Sequence, residues 1–337
     1  MLGCLWACDT LPEKMPLPQG EAFVLPVPRH LADGVPSPSR NPLSKKGIEL
    51  GRMLFYDPLL SGNNQVSCAT CHRQSLGFAD GQALATSGVS GRTLLRHAPA
   101  LVNLAWHPGL FWDGGASDLE SQVFAPLTHA DEMDQDLTEL MQELKHSRDY
   151  EQRFVDVFGA GPEPAYVARA LAQFQRSLVS ANSPFDRYLM GQRDLAPLEE
   201  QGLHVYEKKC ASCHQPPFFT DFEYHNNGLD SSFADSSELG LFQGRFRITG
   251  RADDLGKFKT PTLRNVAASA PYMHDGRLPD LKAVLDHYQK GIISSPSLDS
   301  ALVAFTFSDQ EVAALLAFLL TLTDDEFLQL PRHASPF

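Results

Sequence analysis

Long apolar runs and basic stretches are both missing from this chain of 337 residues. The longest apolar run, Val312 to Leu322, falls well short of the about 20 residues that a helix needs to cross a bilayer, so it predicts a buried core helix. Lys and Arg number 28 against 41 Asp and Glu, a formal charge of −13, and they form no stripe that could neutralise phosphates. These two absences argue against a membrane span and against a nucleic-acid partner.

Strand-like alternation of apolar and polar residues is also lacking, and apolar residues at helical spacing dominate instead. A hydrophobic content of 43% in 337 residues is enough to bury two cores. The sequence therefore predicts a mainly α-helical protein of two domains. The predicted helices are Lys46 to Phe55, Leu137 to Lys145, Pro164 to Val179, Pro197 to Lys208, Leu281 to Tyr288 and Asp309 to Leu320.

The N-terminal segment is predicted to be a leader rather than part of a domain. Leu5-Trp6-Ala7-Cys8 resembles the lipobox of a bacterial lipoprotein signal, which makes Cys8 a candidate lipid anchor, although the charged start of such a signal is missing. The alternative is a trimmed terminus in which Cys4 and Cys8 have no role. Residues 10–42 are rich in Pro and predict an extended surface segment, so the first domain begins near Leu43.

An internal repeat divides the rest of the chain into two copies of one unit. Each copy has its own cofactor motif, and the proline and the aspartate of the later motifs are equally far apart in both. The repeat predicts two domains at residues 43–190 and 191–330, preceded by the leader at residues 1–42. The corresponding stretches are Cys68-Ala-Thr-Cys71-His72 and Cys210-Ala-Ser-Cys213-His214, Pro99-Ala-Leu-Val-Asn103 and Pro261-Thr-Leu-Arg-Asn265, and Trp112-Asp113-Gly114 and His274-Asp275-Gly276.

The duplicated Cys-x-x-Cys-His motif is typical of covalently attached haem c. The two thiols add to the haem vinyl groups, and the adjacent His binds the iron as its proximal ligand. A thioredoxin-like redox pair is disfavoured because no βαβ pattern surrounds either pair and a His follows both. A single zinc site is disfavoured by the distance between the pairs and by their repeated surroundings. The ligands of two haem c groups are therefore predicted to be Cys68, Cys71 and His72, and Cys210, Cys213 and His214.

These motifs, together with several others in the same order, resemble the bacterial di-haem cytochrome c peroxidase and MauG superfamily. The resemblance runs from about residue 43 to 325 and implies a fold of two cytochrome c-like domains, each with one covalent haem. The further stretches that carry it are Phe111 to Gly114, Ala125-Pro126 followed by Asp131-Glu132-Met133, Phe219-Thr220-Asp221, and Pro271 to Gly276.

The resemblance also implies a division of roles between the two haems. The N-terminal haem would be the peroxidatic site, and the C-terminal haem would accept electrons. Trp112 matches the family's electron-transfer bridge, with a plain core aromatic as the alternative. Glu132, at the spacing from Pro126 that the family requires, matches the distal acid-base residue. Gln122 matches a second polar group of the same pocket, with an exposed helix amide as the alternative.

Two departures from the family pattern affect what the resemblance implies. Typical members carry a His in the loop before Pro99 that blocks the peroxidatic iron until the other haem is reduced. This loop, residues 87–91, reads Ser-Gly-Val-Ser-Gly here and has no such ligand, so the iron is expected to be open. The family's calcium-binding Asn is replaced by His97, which makes calcium doubtful, with backbone carbonyls near Ser269 and Pro271 left as candidate ligands.

The second axial ligand of the C-terminal haem is expected to be Tyr288, where typical peroxidases of the superfamily have a Met and MauG has a tyrosine. The repeat agrees: Tyr288 lies as far past Pro261 as Pro126 lies past Pro99, so one half offers a phenol oxygen and the other a ring that cannot coordinate. Competing assignments are His287 or Met273 as the ligand, or Tyr288 as a core residue on a helix face.

The expected function is a di-haem c-type peroxidase of the periplasm that reduces hydrogen peroxide to water. Electrons from a small periplasmic redox protein would pass from the C-terminal to the N-terminal haem. One alternative is a MauG-like enzyme that uses peroxide to oxidise residues of a partner protein. Another is a di-haem electron-transfer cytochrome without catalysis, which an open iron beside Glu132 disfavours.

Overall fold

Helices provide nearly all of the regular structure in the computed structural model, which describes residues 23–234, 240–302 and 305–337. Within these residues, two short antiparallel strands, β1 (Tyr224–His225) and β2 (Phe258–Lys259), form a two-stranded sheet. The expectations for Cys4 and Cys8 lie outside the described residues. The α-helices are, in chain order, α1 (Lys45–Tyr56), α2 (Cys68–Cys71), α3 (Leu119–Gln122), α4 (Phe124–Thr128), α5 (Leu137–His146), α6 (Arg148–Phe158), α7 (Pro164–Ser177), α8 (Pro184–Leu189), α9 (Pro197–Lys209), α10 (Phe246–Thr249), α11 (Leu281–Asp286), α12 (Asp309–Leu320) and α13 (Asp325–Gln329).

The mainly α-helical prediction is confirmed, and the predicted helices are present with one informative difference. The segment predicted as Leu281 to Tyr288 is helical, but α11 ends at Asp286 and the chain continues as a π-helix, His287–Gly291. Such π-turns are rare and occur frequently at functional sites. The change in helical pitch falls at the two candidate ligands of the C-terminal haem, His287 and Tyr288.

The longest apolar run forms a core helix, as predicted. It makes up most of α12, whose Leu315 and Phe318 are buried in the core of the C-terminal half. No helix among the described residues is both long and apolar enough to cross a membrane.

Each half is built around two helices that cross at a glycine. In the N-terminal half, α1 and α7 are so close that a Cβ on Gly51 would lie 1.9 Å from the carbonyl oxygen of Ala170. In the C-terminal half, α9 and α12 cross in the same way, and a Cβ on Gly202 would lie 2.0 Å from the carbonyl oxygen of Ala314. Only glycine allows the helix backbones to approach so closely. The two halves that repeat in sequence therefore also pack their main helix pair in the same way.

The loops of the two halves repeat the same backbone conformations. Asn103 and Asn265 both adopt the left-handed region, with φ of 55° and 59°. Phe111 and Met273, at the next corresponding positions, also have positive φ, 62° and 78°. Non-glycine residues seldom adopt this conformation, so its recurrence at matched positions supports a common origin for the two loop systems.

A buried polar network joins the two halves. Asn103 donates from its amide to the carbonyl of Ser180 (3.1 Å), and Asn265 donates to the hydroxyl of Ser180 (3.0 Å). The Ser180 hydroxyl in turn donates to Asp324 (3.0 Å). Because buried polar groups are costly to leave unpaired, this network fixes how the two repeats meet.

A buried ion pair fixes the segment that follows the second cofactor motif. Arg264 forms a bidentate pair with Asp186, both contacts 2.9 Å long, and both side chains are almost fully buried. Arg264 also donates to the carbonyl of Pro217 (2.9 Å), three residues after His214. Charge-assisted bidentate pairs are among the stronger polar contacts in proteins, so the loop beyond His214 is firmly held.

Candidate haem sites

The first Cys-x-x-Cys-His motif forms a single helical turn, α2, with His72 at its end. The turn starts at Ser67, whose backbone N–H donates to the Thr70 hydroxyl (3.0 Å). His72 Nδ1 lies 2.7 Å from the carbonyl oxygen of Phe78, so Nδ1 is the donor and Nε2 keeps its lone pair for a metal. Burial lowers the pKa of His72, which keeps the ring in the neutral form that metal binding requires.

A pocket of about 780 Å³, including its open mouth, lies beside this motif. Its walls contain the predicted thiols and the imidazole as well as the predicted distal residues Gln122 and Glu132. A pocket with a mostly apolar wall and a few polar groups that point into it is typical of a cofactor site. The apolar wall includes Phe55, Val66, Leu94, Leu101, Val123, Pro126, Leu127, Met133 and Leu171.

The chemistry of the donors fits haem c at both motifs. The thiols of Cys68, Cys71, Cys210 and Cys213 are all free, as thioether formation requires. Burial raises the pKa of each of these thiols, which disfavours the thiolate of a reactive redox pair.

Gln122 and Glu132 provide polar groups in the otherwise apolar N-terminal pocket. The amide oxygen of Gln122 is buried and has no hydrogen-bond partner among the residues that the structure describes. Burial raises the pKa of Glu132, an effect opposed by His129, whose Nδ1 is 4.0 Å from the carboxylate. A carboxyl with a raised pKa in a cleft is suited to exchanging protons with a bound molecule.

The loop at residues 87–91 packs against the turn that holds Glu132. The N–H of Val89 donates to the carbonyl oxygen of Glu132 (2.8 Å), and the Ser90 hydroxyl donates to Asp131 (2.8 Å). The loop therefore covers part of the pocket while offering no imidazole, thioether or phenol to a metal.

The second Cys-x-x-Cys-His motif follows the end of α9 and orients its histidine in the same way as the first. Nδ1 of His214 is 3.2 Å from the carbonyl oxygens of both Phe219 and Pro261. Burial again lowers the pKa of this histidine. Both histidines are thus held as neutral rings with Nε2 left for a metal.

Tyr288 lies in the π-helix, and its phenol interacts electrostatically with the second pair of thiols. Burial raises the pKa of its phenol to about 12. Cys210 and Cys213 add to this rise, and the side chain of Asn227 opposes it. This electrostatic interaction is compatible with the assignment of Tyr288 as a ligand of that haem, and the assignment stays a prediction.

Trp112 is buried where the two halves meet. Its indole N–H donates to the carbonyl of His97 (2.8 Å), and its own carbonyl accepts from the N–H of Lys259 in β2 (2.7 Å). The next residue, Asp113, is fully buried and pairs with Arg96 (2.7 Å). Trp112 is thus held by backbone from both halves.

The stretch that resembles the family's calcium site is also a contact between the halves. His97 Nδ1 donates to the carbonyl of Gln82 (2.8 Å), and the backbone N–H of His97 donates to the carbonyl of His274 (2.9 Å). Calcium prefers oxygen ligands, and an imidazole in place of the family's Asn disfavours a calcium site here.

Sequence reasoning missed a histidine held between two carboxylates next to the second motif. His225 Nε2 is 2.9 Å from Asp221, and Nδ1 is 2.5 Å from Asp299. Burial opposes protonation, but the two carboxylates outweigh it and raise the pKa of His225. Asp299 is far from His225 in the sequence, so the contact between them could not be predicted. The sequence shows only that Asp221 and His225 lie close together.

Two c-type haem motifs with matching histidine geometry, in a helical chain of two repeated halves, define a di-haem cytochrome c. Residues 45–194 match the family described as di-haem cytochrome c peroxidase, and residues 199–323 match cytochrome c. The chain is 40% identical over 296 residues to the methylamine utilization protein MauG of Methylorubrum extorquens, covering 86% of this chain and 82% of that protein. It is 32% identical to the cytochrome-c peroxidase IdrP1 of Pseudomonas sp. (strain SCT), covering 87% and 84%. The chain belongs to the di-haem cytochrome c peroxidase and MauG family.

The fold is shared with a solved structure as well. A MauG-like protein associated with microbial copper homeostasis superposes with a TM-score of 0.82 at 34% identity, covering 98% of this chain and 99% of that one. The predictions of two cytochrome c-type domains, two haem c groups and a peroxidase-class oxidoreductase are confirmed. A plain electron-transfer cytochrome is accordingly set aside.

Proposed function

We propose that this enzyme reduces hydrogen peroxide in the pocket beside His72, with electrons supplied through the C-terminal haem. The overall conversion uses two electrons and two protons to turn one peroxide into two waters. A haem iron with a histidine on one face and a free position on the other binds peroxide and passes electrons to it. The protein's task in that pocket is to orient peroxide and to move its proton.

One observation supports this proposal above the others: Glu132 and Gln122 bring polar atoms into an apolar pocket that also contains His72, and the Gln122 oxygen is unsatisfied among the described residues. The carboxylate of Glu132 takes a proton from one peroxide oxygen and returns it to the oxygen that leaves as water. Gln122 offers an amide that can orient peroxide for this transfer. The apolar wall limits the bulk water that would compete for the same hydrogen bonds.

The C-terminal half would supply the electrons. Cys210, Cys213 and His214 would hold the second haem, with Tyr288 as the other axial ligand. Trp112 would act as the bridge between the two haems, a role supported by its backbone contacts to both halves.

The first test of this proposal is whether the enzyme reacts with peroxide without prior reduction. Because residues 87–91 contain no blocking ligand, the all-ferric enzyme is expected to react at once in a stopped-flow experiment. Denaturing mass spectrometry of the same sample should show the polypeptide plus two haem masses. A lag that only prior one-electron reduction removes would contradict the open-site assignment.

Oxidation of a partner protein is the second candidate function, and Tyr288 is the observation that favours it. A phenolate ligand stabilises high oxidation states of the iron more than a thioether does, which suits storage of oxidising equivalents. Steady-state assays with small cytochromes or cupredoxins as electron donors separate the two functions. Rapid turnover with such a donor supports peroxide removal, and its absence favours oxidation of a protein.

A periplasmic location, a small periplasmic redox protein as the electron donor and a lipid anchor at Cys8 complete the proposal. The two Cys-x-x-Cys-His motifs and the lipobox-like stretch support them. Cell fractionation, followed by mass spectrometry of the N-terminal peptide, tests both the location and the lipid.

A further inference from the structure

One phenylalanine in each half holds the hydrogen bond of the proximal histidine. The carbonyl oxygen of Phe78 accepts from His72 Nδ1 (2.7 Å), and the carbonyl oxygen of Phe219 accepts from His214 Nδ1 (3.2 Å). Both phenylalanines have positive φ, 62° and 55°. A bulky residue rarely adopts this conformation, which persists only where the surroundings hold it. The packing of the two rings therefore fixes the direction of the two carbonyl groups.

The ring of Phe78 packs against a helix from the end of the chain. Phe327 in α13 lies 5.8 Å from Phe78, measured between ring centroids, and both rings are almost fully buried. Gln74, in the turn after the first haem motif, donates to the carbonyls of Phe327 (3.2 Å) and Leu330 (2.9 Å). α13 follows the last long helix of the C-terminal half, yet Phe327 belongs to the hydrophobic core of the N-terminal half.

The ring of Phe219 makes the reciprocal contact. Phe185 in α8 lies 5.7 Å from Phe219, and its ring also lies 5.3 Å from that of Phe318 in α12. Its backbone N–H donates to the carbonyl of Thr321 (2.9 Å). α8 follows α7 of the N-terminal half, yet Phe185 belongs to the core of the C-terminal half. The short helix after the last core helix of each half therefore packs into the other half.

Both short helices start from the same point of the buried network between the halves. Asp324 caps the start of α13, and its carboxylate accepts from the backbone N–H groups of Ala181 and Asn182, both at 3.0 Å, just before α8 begins. The same carboxylate accepts from the N–H of Phe327 (3.0 Å). Detaching a buried carboxylate from several donors is costly, so the place where the two segments cross is firmly held.

We propose that the two halves exchange these helices, so that the proximal histidine of each haem is oriented by a phenylalanine of the other half. Phe327 acts on His72, and Phe185 acts on His214. Each of the two is a positioning residue, since it acts through the neighbouring phenylalanine and its carbonyl. A hydrogen bond to Nδ1 raises the basicity of a histidine ligand and so tunes the potential of its metal. The inference requires only the two haem c groups, and it holds for either candidate function.

The test uses the full-length holoenzyme, in which a reference variant on each side identifies the signal of each haem. Phe55 lies 5.9 Å from Phe78, so Phe55→Leu marks the low-temperature EPR signal of the N-terminal haem. Phe318 lies 6.4 Å from Phe219, so Phe318→Leu marks the signal of the C-terminal haem. Redox titration followed by EPR then gives the potential of each haem separately.

The expected result is a crossed pattern. Phe327→Leu should shift the signal that Phe55→Leu shifts, and should raise the potential of that haem because the bond to its histidine is weakened. Phe185→Leu should act on the haem that Phe318→Leu marks. Its effect should be smaller, because the histidine of that haem has two carbonyl oxygens at the same distance of 3.2 Å from Nδ1.

Phe154→Leu is the control for loss of core volume alone. Phe154 is fully buried in the core of the N-terminal half and packs on Phe158 (6.2 Å), so this variant should lower Tm without shifting either haem signal. Gln74→Ala is a milder second variant in case Phe327→Leu does not fold. It removes only the amide that holds α13, and it should move the same signal in the same direction. Retention of two haem masses and an unchanged circular dichroism spectrum show that each variant has folded.

Three outcomes would overturn the inference. If Phe327→Leu and Phe185→Leu leave both signals and both potentials where Phe154→Leu leaves them, the exchanged helices contribute packing only. If each variant acts on the haem of its own half in sequence, with Phe327→Leu matching Phe318→Leu, the contacts across the halves do not carry the effect. Equal shifts of both haems by either variant would refute the crossed assignment in the same way.

Discussion

Replacing Glu132 by Gln is the most direct test of the distal pocket, because the carboxylate of Glu132 contributes few contacts to the stability of the fold. Its side chain makes no hydrogen bond within the described part of the chain, and its ion-pair partner there is His129, at 4.0 Å. The substitution keeps the size of the side chain and removes only its ability to exchange a proton. The pocket, the haem and the fold should therefore all be retained.

The expected cost follows from the loss of a positioned acid-base group. Such groups contribute roughly 10²–10⁴-fold to rate, which corresponds to about 3–5 kcal/mol of activation free energy. Burial raises the pKa of Glu132 above the ordinary value of a glutamate, so in the unmodified enzyme the basic form is lost at a higher pH than usual. The peroxide reaction should accordingly slow as the pH falls through this raised pKa, and the Glu132→Gln variant should lack that acid limb.

Single-turnover mixing of the ferric enzyme with peroxide, over a range of pH, measures both effects. Asp134→Asn is the matched control, since it makes the same chemical change two residues away on an exposed side chain. Asp134 has a φ of 46°, a conformation that asparagine also tolerates, so the control should fold normally. If Glu132→Gln and Asp134→Asn alter the rate equally, Glu132 has no part in the proton transfer.

Two further predictions concern stability. Arg264→Met removes the bidentate cation from the buried carboxylate of Asp186, which keeps the His30 ring (3.1 Å) and the Ser183 hydroxyl (2.8 Å) as partners, and should lower the free energy of unfolding in urea by up to roughly 3–5 kcal/mol. Burial raises the pKa of Asp186, but the hydrogen bonds and charge of Arg264 outweigh burial, so the pKa is lowered. The ion pair therefore stabilises the fold fully above the ordinary pKa of Asp, and this stabilisation is lost as the pH falls through the lowered pKa. An acid-unfolding midpoint that is the same with and without Arg264 would refute this account. Gly202→Ala places a methyl group 2.0 Å from the carbonyl of Ala314 and should force α9 and α12 apart, costing about 1–3 kcal/mol, visible as a lower Tm.

The parts of the site that lie close together in sequence were predictable from it. Thiols three positions apart with a histidine next to them can be read as a haem motif because local geometry alone lets both thiols reach one porphyrin edge. Helix bounds were also close, since apolar spacing reports the buried face directly; α12 was predicted from Asp309 to Leu320 and begins and ends there. The π-turn at His287–Gly291 was not predictable, because it depends on how the chain packs after α11.

Contacts between distant segments were beyond sequence reasoning for a physical reason. Asn227 and Met273 meet through a hydrogen bond that joins two loops, and neither loop has a periodic pattern that fixes its path. The same holds for His225 and Asp299. A polar residue in a loop looks like any solvated side chain until the fold shows what it faces.

The difference between the two haem sites arises from the side of the pocket that covalent attachment leaves free. The proximal sides are alike: His72 and His214 each present Nδ1 to backbone carbonyls, which leaves Nε2 of both rings for a metal. At the positions that correspond in the repeat, Pro126 lines the first pocket, and the phenol of Tyr288 interacts electrostatically with the second pair of thiols. A proline ring cannot coordinate, so in the proposed function Glu132 would have room to act on a small molecule. A duplicated scaffold can therefore divide binding and electron supply between its halves through a few distal residues, with the proximal framework unchanged.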